Sequence, residues 1–263
     1  QLQEANQPFS ARCVRLDGEK FEQFSITNET DAKAAHARLN QAAGSALNVT
    51  EVNRKERKRR PSAPFITSTL QQEAARKLGF TTKKTMQVAQ KLYEGINIGS
   101  EGTVGLISYM RTDSTHLSED ALLQLRDVIR QEYGTHNMPE KPNVYKSKSK
   151  NAQEAHEAIR PTFALRLPSK IASFLSDDER KLYDLIWKRA VSSQMIHATL
   201  NTVSIELAAG TQHGFRATGT TVVDPGFLLV YEEGKDQKDT DDDEANAKLP
   251  ALKEGQSVAL NEI

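Results

Sequence analysis

The chain has 263 residues, 37% hydrophobic, 6% aromatic and 27% charged, enough for one or two modest cores. No apolar run approaches the roughly 20 residues a membrane helix needs, no signal-peptide pattern opens the chain, and the single cysteine, Cys13, excludes an internal disulfide or a multi-cysteine zinc site. The net charge of zero hides an asymmetry: residues 1–195 hold 30 Lys and Arg against 23 Asp and Glu, residues 196–263 hold 5 against 12, so the first portion suits a phosphate-bearing partner.

Read in chain order, Val14-Arg15-Leu16 and residues 21–26 flank the turn pair Asp17-Gly18 and predict a hairpin. Residues 31–43 read as a helix closed by Gly44, and residues 47–52 alternate as a half-buried strand does. The basic run 54–60 continues that strand up to Pro61, as a solvated edge or as a phosphate contact. Beyond Pro64 the period becomes helical. Ser68 with Gln71 reads as a capping box, Leu70, Ala74 and Leu78 as one apolar face, and Gly79 as the stop. A second helix spans 82–94, with Met86, Ala89, Leu92 and Tyr93 on one side.

The apolar run Val104-Gly105-Leu106-Ile107 predicts a strand. Ser118 caps a third helix carrying Leu122, Leu125 and Ile129, with Gly134 at its end. Ser176 and Glu179 form a capping box for a fourth, with Leu182, Leu185, Ile186 and Ala190 inward. Strands return at 200–207 and 215–223, and the apolar run 227–231 after Asp224-Pro225-Gly226 predicts another. The expected fold class is α+β and multidomain: a discontinuous β-rich domain, 1–67 plus 196–263, with a mainly helical domain, 68–195, inserted in it. The polar stretch 232–248 reads as a loop. Its acidic cluster 239–244 lacks the flanking apolar strand that would fix metal ligands.

The chemistry concentrates in Ser108-Tyr109-Met110-Arg111-Thr112-Asp113-Ser114, which places a phenol beside a guanidinium at the end of a predicted strand. A tyrosine oxygen attacking a phosphodiester yields an aryl phosphate ester that stores the bond energy and can be resealed. Arg111, a permanently charged fork, suits the charge that develops on the phosphate oxygens. Without its neighbours Tyr109 reads as a strand-end residue with a packed ring, and Arg111 as half of a surface ion pair with Asp113. Asp113 itself reads as structural, bonding local backbone N–H groups.

This segment is similar to the active-site motif of type IA DNA topoisomerases, the bacterial branch in particular. Residues 63–72 (Ala-Pro-Phe-Ile-Thr-Ser-Thr-Leu-Gln-Gln) and 153–162 (Gln-Glu-Ala-His-Glu-Ala-Ile-Arg-Pro-Thr) resemble two further blocks in the family's order and spacing. The stretch 95–102 is longer than in the shortest family members. The resemblance implies an arch of long strands carrying a movable helical domain. It implies Tyr109 as nucleophile, keeping a 5′-phosphate and freeing a 3′-hydroxyl, followed by strand passage and resealing that relax negative supercoils without ATP. Arg111 and His156 are expected to be catalytic, and Arg111, His156, Arg160, Ser68 and Thr69 to contact DNA. If residues 153–160 are helical, His156 and Arg160 share one face.

Magnesium is expected only in a Toprim domain that has no counterpart in this sequence, so no metal is expected to be bound by these residues. The opening at Gln1 suggests an excised piece, and such a piece alone is expected not to relax DNA. Single-stranded and negatively supercoiled DNA are the expected partners, of a monomer in a cytoplasmic, nucleoid-associated setting without membrane contact. Ser68 also reads as a simple cap. His156 also reads as an interface histidine, and Tyr183 and Trp187 as packing rather than base-stacking residues. His36, His116, His136, His197 and His213 lack companion ligands. The alternative function is a non-catalytic single-strand-binding module, and a remoter one is an interaction domain docking through its acidic end.

Overall fold

A computed structural model describes residues 2–4, 7–22, 24–145, 157–234 and 249–263. The chain divides into two compact units. The first comprises Gln1–Arg57, Thr199–Val223 and Gln237–Ile263, and the second Lys58–Ala198 and Asp224–Asp236. Among the described residues no helix is long and apolar enough to cross a membrane.

The first unit is built on one eight-stranded sheet. Its strands are β1 (Leu2–Glu4), β2 (Gln7–Phe9), β3 (Arg12–Leu16), β4 (Glu19–Lys20), β5 (Ala46–Arg59), β8 (Ala198–Ala209), β9 (His213–Asp224) and β10 (Ser257–Leu260), in the order β2-β1-β10-β5-β8-β9-β3-β4. Antiparallel registers such as Val258↔Leu47 and Cys13↔Phe215 set one face inward. That face buries Leu47, Val49, Ile205, Leu207, Phe215 and Val258. Helix α1 (Glu29–Ala43) adds Leu39 and Ala43, starting where the Asn28 side chain accepts the Asp31 N–H.

Two predictions in this unit are corrected. Asp17 (φ 52°) and Gly18 (φ 85°) do make the turn, but the returning strand is only Glu19–Lys20. It lies at the sheet edge, and Phe24, at 80% exposure, finds no core to enter. The run 227–231 is not a strand. Gly226–Leu229 forms a 3₁₀ turn, and the Tyr231 N–H donates to the Phe227 carbonyl, so both rings are buried on one side. Gly226 (φ 46°) makes this possible: a Cβ there would lie 2.4 Å from the His197 carbonyl oxygen. A short apolar run after a turn does not declare its own period. Residues 224–234 accordingly pack with the helical unit, not with the strands the sequence assigned them to.

The second unit contains α2 (Thr67–Leu78), α3 (Thr82–Glu94), α4 (Glu119–Val128, prolonged by a π-helical turn Ile129–Tyr133), α5 (Pro168–Ile171) and α6 (Asp177–Ser193). Leu70 and Ala74 of α2, Leu92 of α3, Leu125 of α4 and Leu182 and Ile186 of α6 share one core. The Ser176–Glu179 capping box is present, with the Ser176 N–H donating to Glu179 Oε2 at 2.9 Å. Of the predicted strand 104–107 only Val104 pairs as a hairpin, as part of β7 (Thr103–Val104) against β6 (Ile96–Asn97).

Candidate active site around Tyr109

Three stretches far apart in sequence are laced together here. Ile107 and Pro161 form an antiparallel bridge, as do Phe65 and Ile159. Ser108 Oγ donates to the Ala158 carbonyl (2.6 Å) and accepts the Arg160 N–H (2.9 Å), while the Ser108 N–H donates to the Arg160 carbonyl (2.9 Å). At the other end, the Thr67 N–H donates to the Thr112 carbonyl and the Thr112 N–H returns to Thr67 Oγ1, each at 2.9 Å. The first turn of α2 therefore clips the backbone of 110–112. Gly105 approaches the end of α3 so closely that a Cβ would lie 2.6 Å from the Tyr93 carbonyl oxygen.

Between these clips burial alternates residue by residue, although the backbone bends at Ser108, Met110 and Arg111. Met110, Thr112 and Ser114 are buried, whereas Tyr109, Arg111 and Asp113 are exposed. The phenol and the guanidinium, two residues apart, are therefore both open to solvent, and both border α3: Tyr109 through the Tyr93 ring, Arg111 through a groove it lines with Gln87 and Lys91. Tyr109 is 47% exposed, and its ring meets that of Tyr93 edge-on, with centroids 5.3 Å apart at 63°. Among the described residues, neither the Tyr109 hydroxyl nor the Arg111 guanidinium has a hydrogen-bond or ion-pair partner, which leaves both available to a ligand.

Other predicted residues fall out differently. The local backbone bonds expected around Asp113 are made by its neighbours, which form the turn cluster: Thr112 Oγ1 accepts the Ser114 N–H and Ser114 Oγ accepts the His116 N–H. Ser68 is exposed on the first turn of α2 but is not the cap. The cap position is Ile66, two residues earlier, and Thr69 Oγ1 turns back to accept the Ile66 N–H at 3.0 Å. Residues 157–160 are extended rather than helical, because the bridge to Phe65 takes up their backbone groups. His156 lies outside the described residues, as do the acidic residues 239–244.

Arg160 is close by but engaged. Its guanidinium donates to Glu157 Oε2 (2.6 and 3.0 Å) and to the Pro161 carbonyl. Burial alone would raise the Glu157 pKa, but the Ser118 hydrogen bond and Arg160 outweigh it and hold the carboxyl below the ordinary glutamate range. Tyr183 and Trp187 are core residues, donating to the carbonyls of Arg166 and Ala164, each at 2.8 Å. His213 is also buried, accepting the Asp17 N–H at 3.2 Å. Among the described residues no three His, Cys, Asp or Glu side chains gather as metal ligands would. Sequence reasoning missed Thr67, Ser108, Glu157 and the Tyr93 ring as builders of this face. All but Glu157 are hydroxyl-bearing residues whose partners lie more than ten residues away.

The comparisons with known proteins point the same way. A family model described as DNA topoisomerase matches residues 1–263. DNA topoisomerase 1 of Xylella fastidiosa (strain 9a5c) is 64% identical over 257 residues, covering 98% of this chain and 32% of that protein. DNA topoisomerase 1 of Rickettsia bellii is 46% identical over 263 residues, 100% of this chain and 32% of that protein. The solved structure of full-length topoisomerase I from Thermotoga maritima superposes with a TM-score of 0.70 at 31% identity, covering 95% of this chain and 39% of that one. The chain spans about a third (32%) of the length of the curated relatives it matches. On the match along its whole length and the identity of these relatives, the chain belongs to the bacterial type IA DNA topoisomerase family.

Proposed function

We propose that Tyr109 is the residue through which this chain, as part of a longer enzyme, cuts and reseals one DNA strand. The phenol oxygen attacks phosphorus and forms the Tyr–O–P bond, while the P–O3′ bond breaks. The phenolic proton is lost to an acceptor, and the departing 3′-oxygen takes up a proton. Resealing is the reverse attack by that hydroxyl. One phosphoester replaces another, so no nucleotide triphosphate is consumed. Passing a second strand through the gap changes the linking of the duplex, and the preferred substrate is single-stranded DNA within a negatively supercoiled molecule.

Arg111, exposed two residues away, stabilises the charge on the phosphate oxygens. Attack requires an acceptor for the phenolic proton, which acidic groups outside these residues supply in this reading, while His156 takes part in DNA binding and catalysis. Ser68 and Thr69 contribute to the phosphate site from the first turn of α2, with Thr69 acting through the cap it makes. Arg160 is a positioning residue in this reading, because its guanidinium is held by Glu157. The strand-rich unit serves as the arch into whose chain the tyrosine-bearing helical unit is inserted.

The observation that carries this reading is that Tyr109 and Arg111, two residues apart, are both exposed while Met110 and Thr112 are buried. It is tested by Tyr109→Phe in a polypeptide of the relatives' full length carrying this sequence. Covalent adduct on a denaturing gel is expected to vanish while noncovalent binding of a single-stranded oligonucleotide persists. Undiminished adduct would rule the reading out. Salt-sensitive binding with no adduct in the unsubstituted protein would instead support a non-catalytic binding module.

A further inference from the structure

A second feature adjoins Tyr109 and shares Arg111 with the site of the cut. An open groove of about 1000 Å³ runs along α3, lined by Lys83, Lys84, Gln87, Lys91, Arg111 and Asp178 among others. Four cations thus face one carboxylate. That carboxylate is already committed, since Asp178 pairs with Lys84 at 2.9 Å and Lys84 also lies over the Phe80 ring. Lys83 and Arg111 are exposed, and Lys91, 68% exposed, sits 4.0 Å from Glu179, whose carboxylate is occupied by the Ser176 cap. Lys83, Gln87 and Lys91 recur every four residues, a stripe on one helix face with steps of about 6 Å.

We propose that this stripe binds the phosphodiester backbone of single-stranded DNA, specifically the segment 3′ of the cleaved bond. The inference rests on the assignment of Tyr109 as nucleophile. The strand piece carrying the 5′-phosphate is joined to Tyr109, which the Tyr93 ring links to the C-terminal end of α3. The piece ending in the free 3′-hydroxyl must be able to separate from it for another strand to pass. A cationic groove on the tyrosine's own unit can grip the attached piece without opposing that separation. Gripping the other piece would tie the gap shut. Lysines spaced along a helix with an amide between them suit a repeating, sequence-independent anion rather than one compact ligand.

The test uses the full-length polypeptide in a Tyr109→Phe background, with fluorescent oligonucleotides sharing one cleavage position and extended on either the 3′ or the 5′ side. The unsubstituted groove is expected to bind more tightly as the 3′ extension lengthens. Lys83→Gln with Lys91→Gln is expected to abolish that gain and to flatten the dependence of log K on log salt by roughly 1.4, two single-strand phosphate contacts. Lys83→Arg with Lys91→Arg is expected to retain both, which separates lost charge from a damaged helix. An unchanged 3′ dependence in the glutamine variant overturns the proposal, as does a loss confined to 5′ extensions. Adduct formation with Tyr109 intact, run in parallel, keeps the two failures apart. Adduct with no lysine effect sinks only the groove, whereas absence of adduct sinks the assignment beneath it.

Discussion

Thr67 and Thr112 hold each other by two reciprocal hydrogen bonds of 2.9 Å, although 45 residues separate them. Thr67 Oγ1 also reaches the Met110 carbonyl at 2.8 Å, so one hydroxyl at the start of α2 braces both neighbours of Arg111. Thr67→Val removes that hydroxyl at nearly constant shape and leaves the N–H of buried Thr112 without its partner. The expected loss of stability is about 1–3 kcal/mol, read from urea denaturation, with Thr67→Ser close to the unsubstituted protein. Equal denaturation midpoints for the valine and threonine proteins would show that the clip does not brace the tyrosine segment.

Gly105→Ala tests the approach of the same segment to α3. The added methyl would lie 2.6 Å from the Tyr93 carbonyl oxygen, a backbone atom that cannot swing aside as a side chain does. Overpacking of this kind costs about 1–3 kcal/mol, and the shift is expected to disturb the Tyr93–Tyr109 ring contact. Both a lower melting temperature and slower adduct formation are expected. A variant that melts and reacts normally would mean that the backbone tolerates the displacement.

The Glu157 carboxyl supplies a pH dependence with a definite sign. Its folded-state pKa is depressed, so its contribution is present above the ordinary glutamate pKa of about 4.3. It is lost as the pH falls through the lower folded value. Melting temperatures of the unsubstituted protein and Glu157→Gln are therefore expected to differ at neutral pH and to converge in acid. A gap that widens below pH 4 would contradict the assignment.

Tyr231→Phe probes the segment that the sequence misassigned. The Tyr231 hydroxyl donates to Glu73, whose side chain is 3% exposed and also accepts the Gly234 N–H at 3.0 Å. Losing a donor to a buried carboxylate is expected to cost about 1.5–3 kcal/mol in chemical denaturation. A neutral result would show that water or Arg76 replaces the hydroxyl.

What the sequence made legible were features whose signals are local. The helix read at 82–94 is Thr82–Glu94 and the one opened by Ser176 is Asp177–Ser193, because the apolar period of the first and the cap and period of the second are local signals. Where distant contacts decided, the reading slipped. Three hydroxyl residues in a row, 67 to 69, left the start of α2 ambiguous, and Thr67's bonds to 110–112 resolved it. Hydrophobicity would also have hidden Tyr109 as readily as Met110. The clips at Ser108 and Thr112 turn the aromatic outward and the thioether in. Phe227 and Tyr231 read as a strand because nothing local announces the close pass of Gly226 against His197. The chemical reading of Tyr109 and Arg111 came from the resemblance, not from the pattern.

The most direct measurement is peptide mapping of the trapped protein–DNA adduct, by mass spectrometry after nuclease and protease digestion of a full-length polypeptide carrying this sequence. The 5′-phosphoryl nucleotide is predicted on the peptide containing Tyr109, attached through its phenolic oxygen. Attachment at any other residue, or no attachment under conditions where DNA is cut, would contradict the account.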